Sequence, residues 1–201
     1  MATRTLSVKS VIDAGAALAR EKGLPALGVR ALAARLKVTP MALYRHLPDG
    51  DALSSAVLDA LLLELPVLPA AGKPLDQLRA WATDARAMLR TCGGLAHHLL
   101  LHWFELPRAL EVVESLLGAA EQLGFKGFEA VAASNAVFTY VLMRVQLEES
   151  LRKANVLQRK LPALRGLPRL AKNAAEYRVA RVDAHFEYGL NLLIEGLDRR
   201  S

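Results

Sequence analysis

Several residue types are scarce in this 201-residue chain, and each shortage narrows the choice of fold or compartment. A single cysteine, Cys92, excludes an internal disulfide and suits a reducing cytoplasm. Aromatic residues make up 5% and β-branched residues are also few, whereas Ala, Leu, Arg and Glu abound, which favours helices over strands. No unbroken apolar run reaches the roughly 20 residues that cross a bilayer, and no signal peptide opens the chain. We therefore expect a cytoplasmic protein with no membrane partner.

The charge of the chain is distributed unevenly. Apolar residues make up 53%, which predicts a globular protein with a sizeable core. Residues 1–50 carry eight Lys and Arg against three acids, a balance of +5, whereas the remaining 151 residues carry only +1. A basic head on a nearly neutral body suggests that the head binds a polyanion such as nucleic acid. The alternative is that the excess positive charge serves only solubility.

Helical periodicity runs through the first fifty residues. One apolar face ends before Gly23 and Pro25, and it is made of Val8, Val11, Ile12, Gly15, Leu18 and Ala19. A second helix fits residues 29–36, with Gly28 at its N-cap. The connection that follows is so short that it requires an unusual backbone at or near Lys37.

A third helix is predicted in the stretch "LKVTPMALYRHLP", residues 36–48. Thr39 is a good N-cap and Pro40 a good first residue, while Pro48 limits the helix to about two turns. At 100° per residue, one side carries leucine toward the first two helices, and the other side carries Pro40, Met41, Tyr44 and Arg45. A helix-turn-helix has this division, because its second helix enters the major groove.

The stretch "GLPALGVRALAARLKVTPMALYRHL" resembles the DNA-binding domain of TetR-type transcriptional repressors, nearest to the tetracycline-repressor branch. The similarity covers residues 6–65 and centres on the pattern LxVxxxxLYxH. It implies that the residues near base edges are Arg30, Pro40, Met41 and Ala42, close to the capping Thr39. It also implies that phosphates or flanking bases are contacted by Tyr44, Arg45 and His46.

Two positions differ from the family pattern. Gly28 stands where the family usually has threonine, and Gly50, between Asp49 and Asp51, stands near the usual lysine. The two acids should weaken contacts to phosphate, which supply much of the affinity for DNA. A helical interaction protein whose DNA-binding head is degenerate is therefore one alternative reading.

The remainder of the chain also predicts helices, so the fold class is all-α with about nine to ten helices. A helix-turn-helix domain at 1–50 is followed by a linking helix near 51–64 and by an effector-binding and dimerisation domain at 66–201. A hinge rich in proline and turn residues lies at 65–77. We expect body helices near 75–91, 94–103, 107–123, 127–152 and 174–198, with a short or irregular piece at 155–171.

Two long apolar helices predict a dimer through a four-helix bundle. The ending "FEYGLNLLIEGL" also resembles the dimerisation helix of the TetR family. The predicted interface residues are Val137, Val141, Val182, Phe186, Gly189, Leu190, Leu193 and Leu197. Packing of the same faces within one subunit is the alternative.

The middle of the chain is where we expect a small apolar effector to bind. The predicted lining is aromatic and apolar with a few polar groups, and it comprises His97, His98, His102, Trp103, Asn135, Phe138, Tyr140, Met143 and Arg144. The resemblance places His97 near a histidine that contacts a drug-bound metal in tetracycline repressors. His98 and His102 have a spacing that suits metal chelation, but no Cys or Asp accompanies them, so no metal or cofactor is predicted.

The sequence thus predicts a ligand-responsive repressor that binds a palindromic double-stranded DNA operator as a homodimer and is released by an inducer. A regulator without an effector is another alternative. An enzyme is not expected, because no paired carboxylates, activated nucleophile or phosphate loop is present. The basic stretch 152–172 is read as a solvated loop, or else as a flap or an anion site.

Overall fold

The computed structural model describes residues 6–45, 49–154, 165–177 and 182–198, and every regular element in these ranges is helical. The predicted all-α fold of nine to ten helices is confirmed. Ten α-helices follow one another: α1 (Val8–Lys22), α2 (Val29–Leu36), α3 (Pro40–Tyr44), α4 (Gly50–Leu62), α5 (Pro74–Leu89), α6 (Leu95–His102), α7 (Pro107–Gln122), α8 (Phe128–Lys153), α9 (Pro168–Asn173) and α10 (Val182–Gly196). Short 3₁₀ turns occupy Leu24–Ala26, Trp103–Glu105 and Ala174–Tyr177.

The helix ends in the head follow from local sequence. A reciprocal capping box begins α1, in which the Ser10 N–H donates to Ser7 Oγ over 3.1 Å and the Ser7 N–H donates to Ser10 Oγ over 2.9 Å. Lys37, after α2, adopts a left-handed conformation with φ 58°, which confirms the unusual backbone predicted there. Thr39 Oγ1 accepts from the Ala42 N–H over 3.3 Å, so the predicted N-cap of α3 is confirmed as well.

The head, α1–α4, has a core in which α1 lies against both α2 and α4. Val11 and Leu18 of α1 are buried together with Leu32 of α2, Leu43 of α3 and Val57 of α4. Gly15 marks the closest approach of α1 and α4, because a Cβ added there would lie 2.5 Å from Val57 Cγ2. The small residue therefore sets the spacing between these two helices.

Helix α8 is the centre of the body and packs against α5, α6, α7 and α10. Its buried side chains include Val137, Phe138, Val141 and Leu142. Within the described part of the chain, α8 is the one helix long and apolar enough to cross a membrane by length and composition. Its contacts with four helices show it instead in the place of a core helix.

The head and body meet through backbone as well as side chains. The Leu24 N–H donates to the Gly93 carbonyl over 2.7 Å, and the Cys92 thiol contacts the Ala19 carbonyl at 3.4 Å. Gly23 has φ 88°, and a Cβ on it would lie 3.2 Å from the Gly93 oxygen. Glycine is thus needed at position 23 both for its backbone angle and for this close approach.

The last predicted helix begins later than expected. The interval 174–198 was predicted as one helix, but Ala174–Tyr177 forms a 3₁₀ turn and α10 starts at Val182. Residues 155–164 of the basic stretch at 152–172 lie outside the described residues. The described part after them carries α9, which begins at Pro168, a residue suited to the first turn.

Replacing Gly15 by alanine should destabilise the head. The new methyl group would overlap Val57, which is fully buried and cannot rotate away without disturbing the core. Overpacking of this kind costs about 1–3 kcal/mol of unfolding free energy. Chemical denaturation of Gly15→Ala monitored by circular dichroism measures this cost.

Gly118→Ala is the matched control, because Gly118 lies inside α7 and an added Cβ would meet nothing within 4 Å. Alanine should stabilise that helix by about 0.5–1 kcal/mol relative to glycine. Equal stability changes in the two variants would contradict the packing described between α1 and α4.

Candidate nucleic-acid interface and effector cleft

Helix α3 has five residues and is held from behind by its neighbours. Leu43 is only 2% exposed and belongs to the same core as Leu32 and Ala33 of α2. The turn before α3 is closed by hydrogen bonds from the Lys37 N–H to the Ala34 carbonyl, 3.2 Å, and from the Val38 N–H to the Ala33 carbonyl, 3.0 Å. These bonds and the buried leucine fix the direction in which α3 projects from α2.

The opposite side of α3 faces outward. Met41 is 69% exposed and Tyr44 is 44% exposed, and Pro40 and Arg45 are exposed beside them. Arg30 at the start of α2 is also exposed, and Thr39 and the half-buried Ala42 complete the set that the sequence singled out. His46, the last member of that set, lies outside the described residues.

The two arginines of this surface make no ion pair among the described residues. Some other bases of the head are paired, as Lys9 is with Asp13 over 2.7 Å and Arg35 is with Glu21 over 2.5 Å. The bond from Arg35 also holds the pKa of the Glu21 carboxyl below its usual value. Arg30 and Arg45 therefore leave their full charge available to a polyanion, beside a free phenol and a thioether.

The acids at the start of α4 have a structural role. Asp49 Oδ1 accepts from the Ala52 N–H over 2.7 Å, so this carboxylate caps α4. Asp51 lies in the first turn, where the positive end of the helix dipole favours negative charge. Their charges are partly balanced by the helix, which reduces the expected conflict with DNA.

A cleft of about 600 Å³ separates the head from the body. We define this head–body cleft by residues of the turn after α1, of α4, and of α6 with the 3₁₀ turn that follows it: Leu27, Leu58, Asp59, His98, His102 and Glu105. The rings of His98 and His102 lie 4.7 Å apart, one helical turn from each other. Burial lowers the pKa of His98, and the neighbouring His102 lowers it further.

The structure does not bring the predicted effector residues together. Of the nine, only His98 and His102 line the head–body cleft, and His97 is exposed beside it. Phe138 is buried between two tryptophans. Its ring centre lies 6.3 Å from that of Trp81 and 6.2 Å from that of Trp103. These aromatic side chains pack together in the core of the body.

The remaining predicted effector residues lie on other surfaces of α8. The Tyr140 hydroxyl donates to the Phe186 carbonyl over 2.8 Å, and burial raises the pKa of this phenol. Asn135 and Met143 are exposed on a different face of the helix, and Arg144 is half-buried. The head–body cleft also contains Ser54, Ser55 and Asp59 of α4, which are not in the predicted effector set.

His98 and His102 have a spacing that suits metal chelation, and both lie within the described residues. Within them, no three His, Cys, Asp or Glu side chains are arranged to hold one metal ion. His102 Nδ1 has Glu105 as its nearest carboxylate, 3.5 Å away.

An ion-pair network joins the two long helices of the body to α5. Arg86 is 8% exposed and donates to Glu148 of α8 over 2.9 Å and to Asp183 of α10. The hydrogen bond from Arg86 lowers the pKa of Asp183. The Arg86 guanidinium also lies 4.3 Å from the centre of the Phe186 ring, which fixes α10 against its own subunit.

Five of the eight residues of the predicted subunit-contact face pack inward within one subunit. Val137, Val141, Phe186, Leu190 and Leu197 are buried inside their own subunit because they are the most apolar positions of α8 and α10. The half-buried members of the set are Val182, Gly189 and Leu193, and a Cβ on Gly189 would collide with the Tyr140 hydroxyl.

Other apolar residues of α8 and α10 are exposed. On α8 they form one pair near the start of the helix and one near its end, and with those of α10 they are Phe128, Val131, Met143, Leu147, Tyr188 and Leu192. We refer to these six residues as the outer bundle face. Its residues occur near both ends of α8 and in the middle of α10.

The head has the geometry of a helix-turn-helix DNA-binding protein, with α2 behind and α3 outward. Two family models match separate parts of the chain. Residues 11–57 match the bacterial regulatory proteins of the tetR family, and residues 65–201 match the tetracyclin repressor-like C-terminal domain. The chain belongs to the tetR family, and it is a ligand-responsive transcriptional repressor that acts on DNA as a homodimer.

Individual relatives are similar over nearly the full length. The chain is 32% identical to tetracycline repressor protein class D of Escherichia coli, with 96% of this chain and 89% of the relative covered. ActR of Streptomyces coelicolor in complex with actinorhodin has a TM-score of 0.74 at 25% identity, covering 98% and 96% of the two chains. BioQ with its double-stranded DNA operator has a TM-score of 0.66 at 25% identity, covering 97% and 99%.

Arg45→Ala should weaken binding to operator DNA by about 1–3 kcal/mol, because the unpaired guanidinium is removed from the outward side of α3. Fluorescence anisotropy with a labelled duplex measures the loss. Lys126→Ala is the control, since this exposed base lies between α7 and α8, far along the chain from the head. Wild-type affinity in Arg45→Ala would refute the orientation assigned to α3.

Leu192→Arg should convert the homodimer into monomers, because a charge would enter the outer bundle face. Leu101→Arg is a matched control on α6, as both leucines are 55% exposed in the single subunit. Sedimentation velocity distinguishes the two species. An intact Leu192→Arg dimer would exclude the outer bundle face as the subunit contact.

Proposed function

We propose that this repressor reads a palindromic operator with Arg30 and the outward side of α3 from each subunit. The observation that carries the proposal is the orientation of α3. Its leucine is locked into the head, while Tyr44 and Arg45 point outward without a partner among the described residues. BioQ, a structural relative, is bound to its DNA operator, which supports a DNA-reading role for the same fold.

The chemistry of the surface assigns different tasks to its residues. Arg30 and Arg45 supply bidentate donors for guanine edges or phosphates. Tyr44, together with His46, supplies hydrogen bonds to the backbone at the rim of the groove. Pro40, Met41 and Ala42 carry no hydrogen-bonding side chain and suit the methyl groups of thymine. Thr39 lies at the start of the helix, close to phosphate.

Two subunits give the operator its symmetry. Joining α8 and α10 of each subunit through the outer bundle face builds a four-helix bundle and directs both heads to the same side. The two copies of α3 then enter successive major grooves about 34–36 Å apart, one turn of DNA. Such a dimer recognises an inverted repeat.

Release follows if an inducer binds best to the conformation whose recognition helices are wrongly spaced. A ligand that prefers that conformation by about 5.5 kcal/mol shifts a 99:1 equilibrium to its reverse. Relatives support this role, since ActR binds actinorhodin and the curated relative is a tetracycline repressor. The inducer is a small molecule with a largely apolar body, and the protein binds it without transforming it.

The division of labour within the chain is part of the proposal. Residues 1–50 read DNA, the helix near 51–64 transmits the signal, and residues 66–201 bind the effector and the second subunit. The protein works in the cytoplasm, where its operator lies. Family members are generally transcription factors rather than enzymes, and catalysis has no part in this mechanism.

Mapping the genomic fragments that the purified homodimer retains tests the function directly. We expect a small set of fragments that share an inverted repeat with half-site centres one helical turn apart. Sequencing of the retained pool measures this enrichment. The genes beside those fragments would also indicate the class of effector.

The alternatives give different outcomes in the same experiment. A regulator with a degenerate head would retain no fragment above background at low salt. A non-specific binder would retain fragments in proportion to their length, with no shared repeat and a steep loss of binding as salt rises. Either result would overturn the proposed repressor.

A further inference from the structure

The connection between α5 and α6 contains two adjacent glycines, Gly93 and Gly94. We refer to residues 92–94 as the glycine turn. Gly94 has φ 89°, a backbone angle that other residues rarely adopt. A residue without a side chain reaches many backbone conformations, and two in succession multiply that freedom. The glycine turn therefore needs a contact from another element to keep one conformation.

A carboxylate of α8 supplies this contact. Glu149 Oε2 accepts a hydrogen bond from the Gly94 N–H over 2.9 Å, at the N-cap of α6. The Glu149 side chain is only 12% exposed, and the Lys153 ammonium pairs with its other oxygen. Burial acts to raise the pKa of Glu149, but the hydrogen bonds from Lys153 and Gly94 outweigh it and hold the pKa below its usual value. The negative charge also lies at the positive end of the α6 dipole.

The glycine turn holds the head as well. The Gly93 carbonyl accepts from the Leu24 N–H over 2.7 Å, and the Cys92 thiol contacts the Ala19 carbonyl near the end of α1. The Glu149 carboxylate lies so close to Gly93 that an added Cβ would stand 3.0 Å from its Oε1. A series of contacts therefore runs from α8 through the glycine turn to α1.

The head also meets the body where α4 packs against α7. Contacts at two separated places fix the angle of a rigid unit better than contacts at one place. If the glycine turn changes conformation, the head can rotate about the contact between α4 and α7, and α3 moves with it. In the homodimer such a rotation changes the distance between the two copies of α3.

We propose that Glu149 is a positioning residue for operator recognition: it fixes the glycine turn, and thereby the angle of the head and the half-site spacing that the homodimer accepts. Glu149 belongs neither to the outward side of α3 nor to the outer bundle face, so it acts through the turn. The spacing role rests on the proposed repressor function, whereas the positioning of the head does not.

Distances between the two heads of the full-length homodimer test the positioning without DNA. A nitroxide on an Ala34→Cys variant marks an exposed position of α2 in each subunit. Burial raises the pKa of the Cys92 thiol, so the native cysteine stays unlabelled. In this background Glu149→Met keeps the approximate size of the side chain and removes the acceptor, whereas Glu149→Gln keeps an oxygen for the Gly94 N–H.

Double electron–electron resonance should give a narrow distance distribution for the parent and for Glu149→Gln, and one about twofold broader for Glu149→Met. Lys153→Met is the matched control, because it removes the ion pair of Glu149 but not its bond to Gly94, and it should stay narrow. Circular dichroism verifies the fold of each variant, and Glu149→Ala replaces Glu149→Met if the latter does not fold. Equal widths with and without the acceptor, or a broad distribution for Glu149→Gln, would overturn the proposal.

Operators of altered spacing test the consequence for recognition. Two base pairs inserted at the centre of the inverted repeat from the retained genomic fragments move the half-sites about 7 Å further apart and rotate them. Wild type and Lys153→Met should bind this operator at least about tenfold more weakly than the natural one, and Glu149→Met should lose most of that discrimination.

Unchanged discrimination between the two operators in Glu149→Met would refute the spacing role. Failure of the wild type to retain any genomic fragment would instead refute the repressor function. The distances between the heads, measured without DNA, would still decide whether Glu149 positions the head.

Discussion

The DNA-reading surface depends on the burial of one leucine. A helix as short as α3 is not stable in water by itself, since helix nucleation is unfavourable and few backbone bonds repay it. Leu43 joins it to the core formed with α2, and the left-handed Lys37 fixes the angle of approach. The outward direction of Tyr44 and Arg45 is a consequence of that attachment. Affinity for DNA is therefore coupled to the stability of the head.

Local features of the fold could be read from the sequence because they depend on neighbouring residues. The cap at Thr39 and the backbone at Lys37 follow from the residue types and from the length of the connection. The boundaries of most body helices follow from apolar periodicity and from proline and glycine at their ends. Periodicity alone did not indicate that Ala174–Tyr177 forms a 3₁₀ turn instead of the start of an α-helix.

Surfaces of the body were harder to predict, because hydrophobicity indicates that a residue is buried but not whether its own subunit or a second subunit covers it. The most apolar face of α10, with Phe186 and Leu190, is the one that its own subunit covers. A face with polar and apolar residues mixed, such as that around Tyr188, gives a weaker signal. Likewise Phe138 and Trp103 are large apolar side chains that pack in the core of the body. The head–body cleft instead depends on the spacing between α4 and α6, and local sequence patterns do not predict that spacing.

The backbone contact between Leu24 and Gly93 limits how freely the two halves of the chain can be exchanged with those of relatives. The two backbone segments are in direct contact there, and a side chain at Gly23 would have no room. In a chimaera that takes its head from one relative and its body from another, residues 23–24 of the head and residue 93 of the body must therefore fit each other. Exchange of DNA-binding heads between relatives is thus limited by a backbone contact that is not part of the DNA-reading surface.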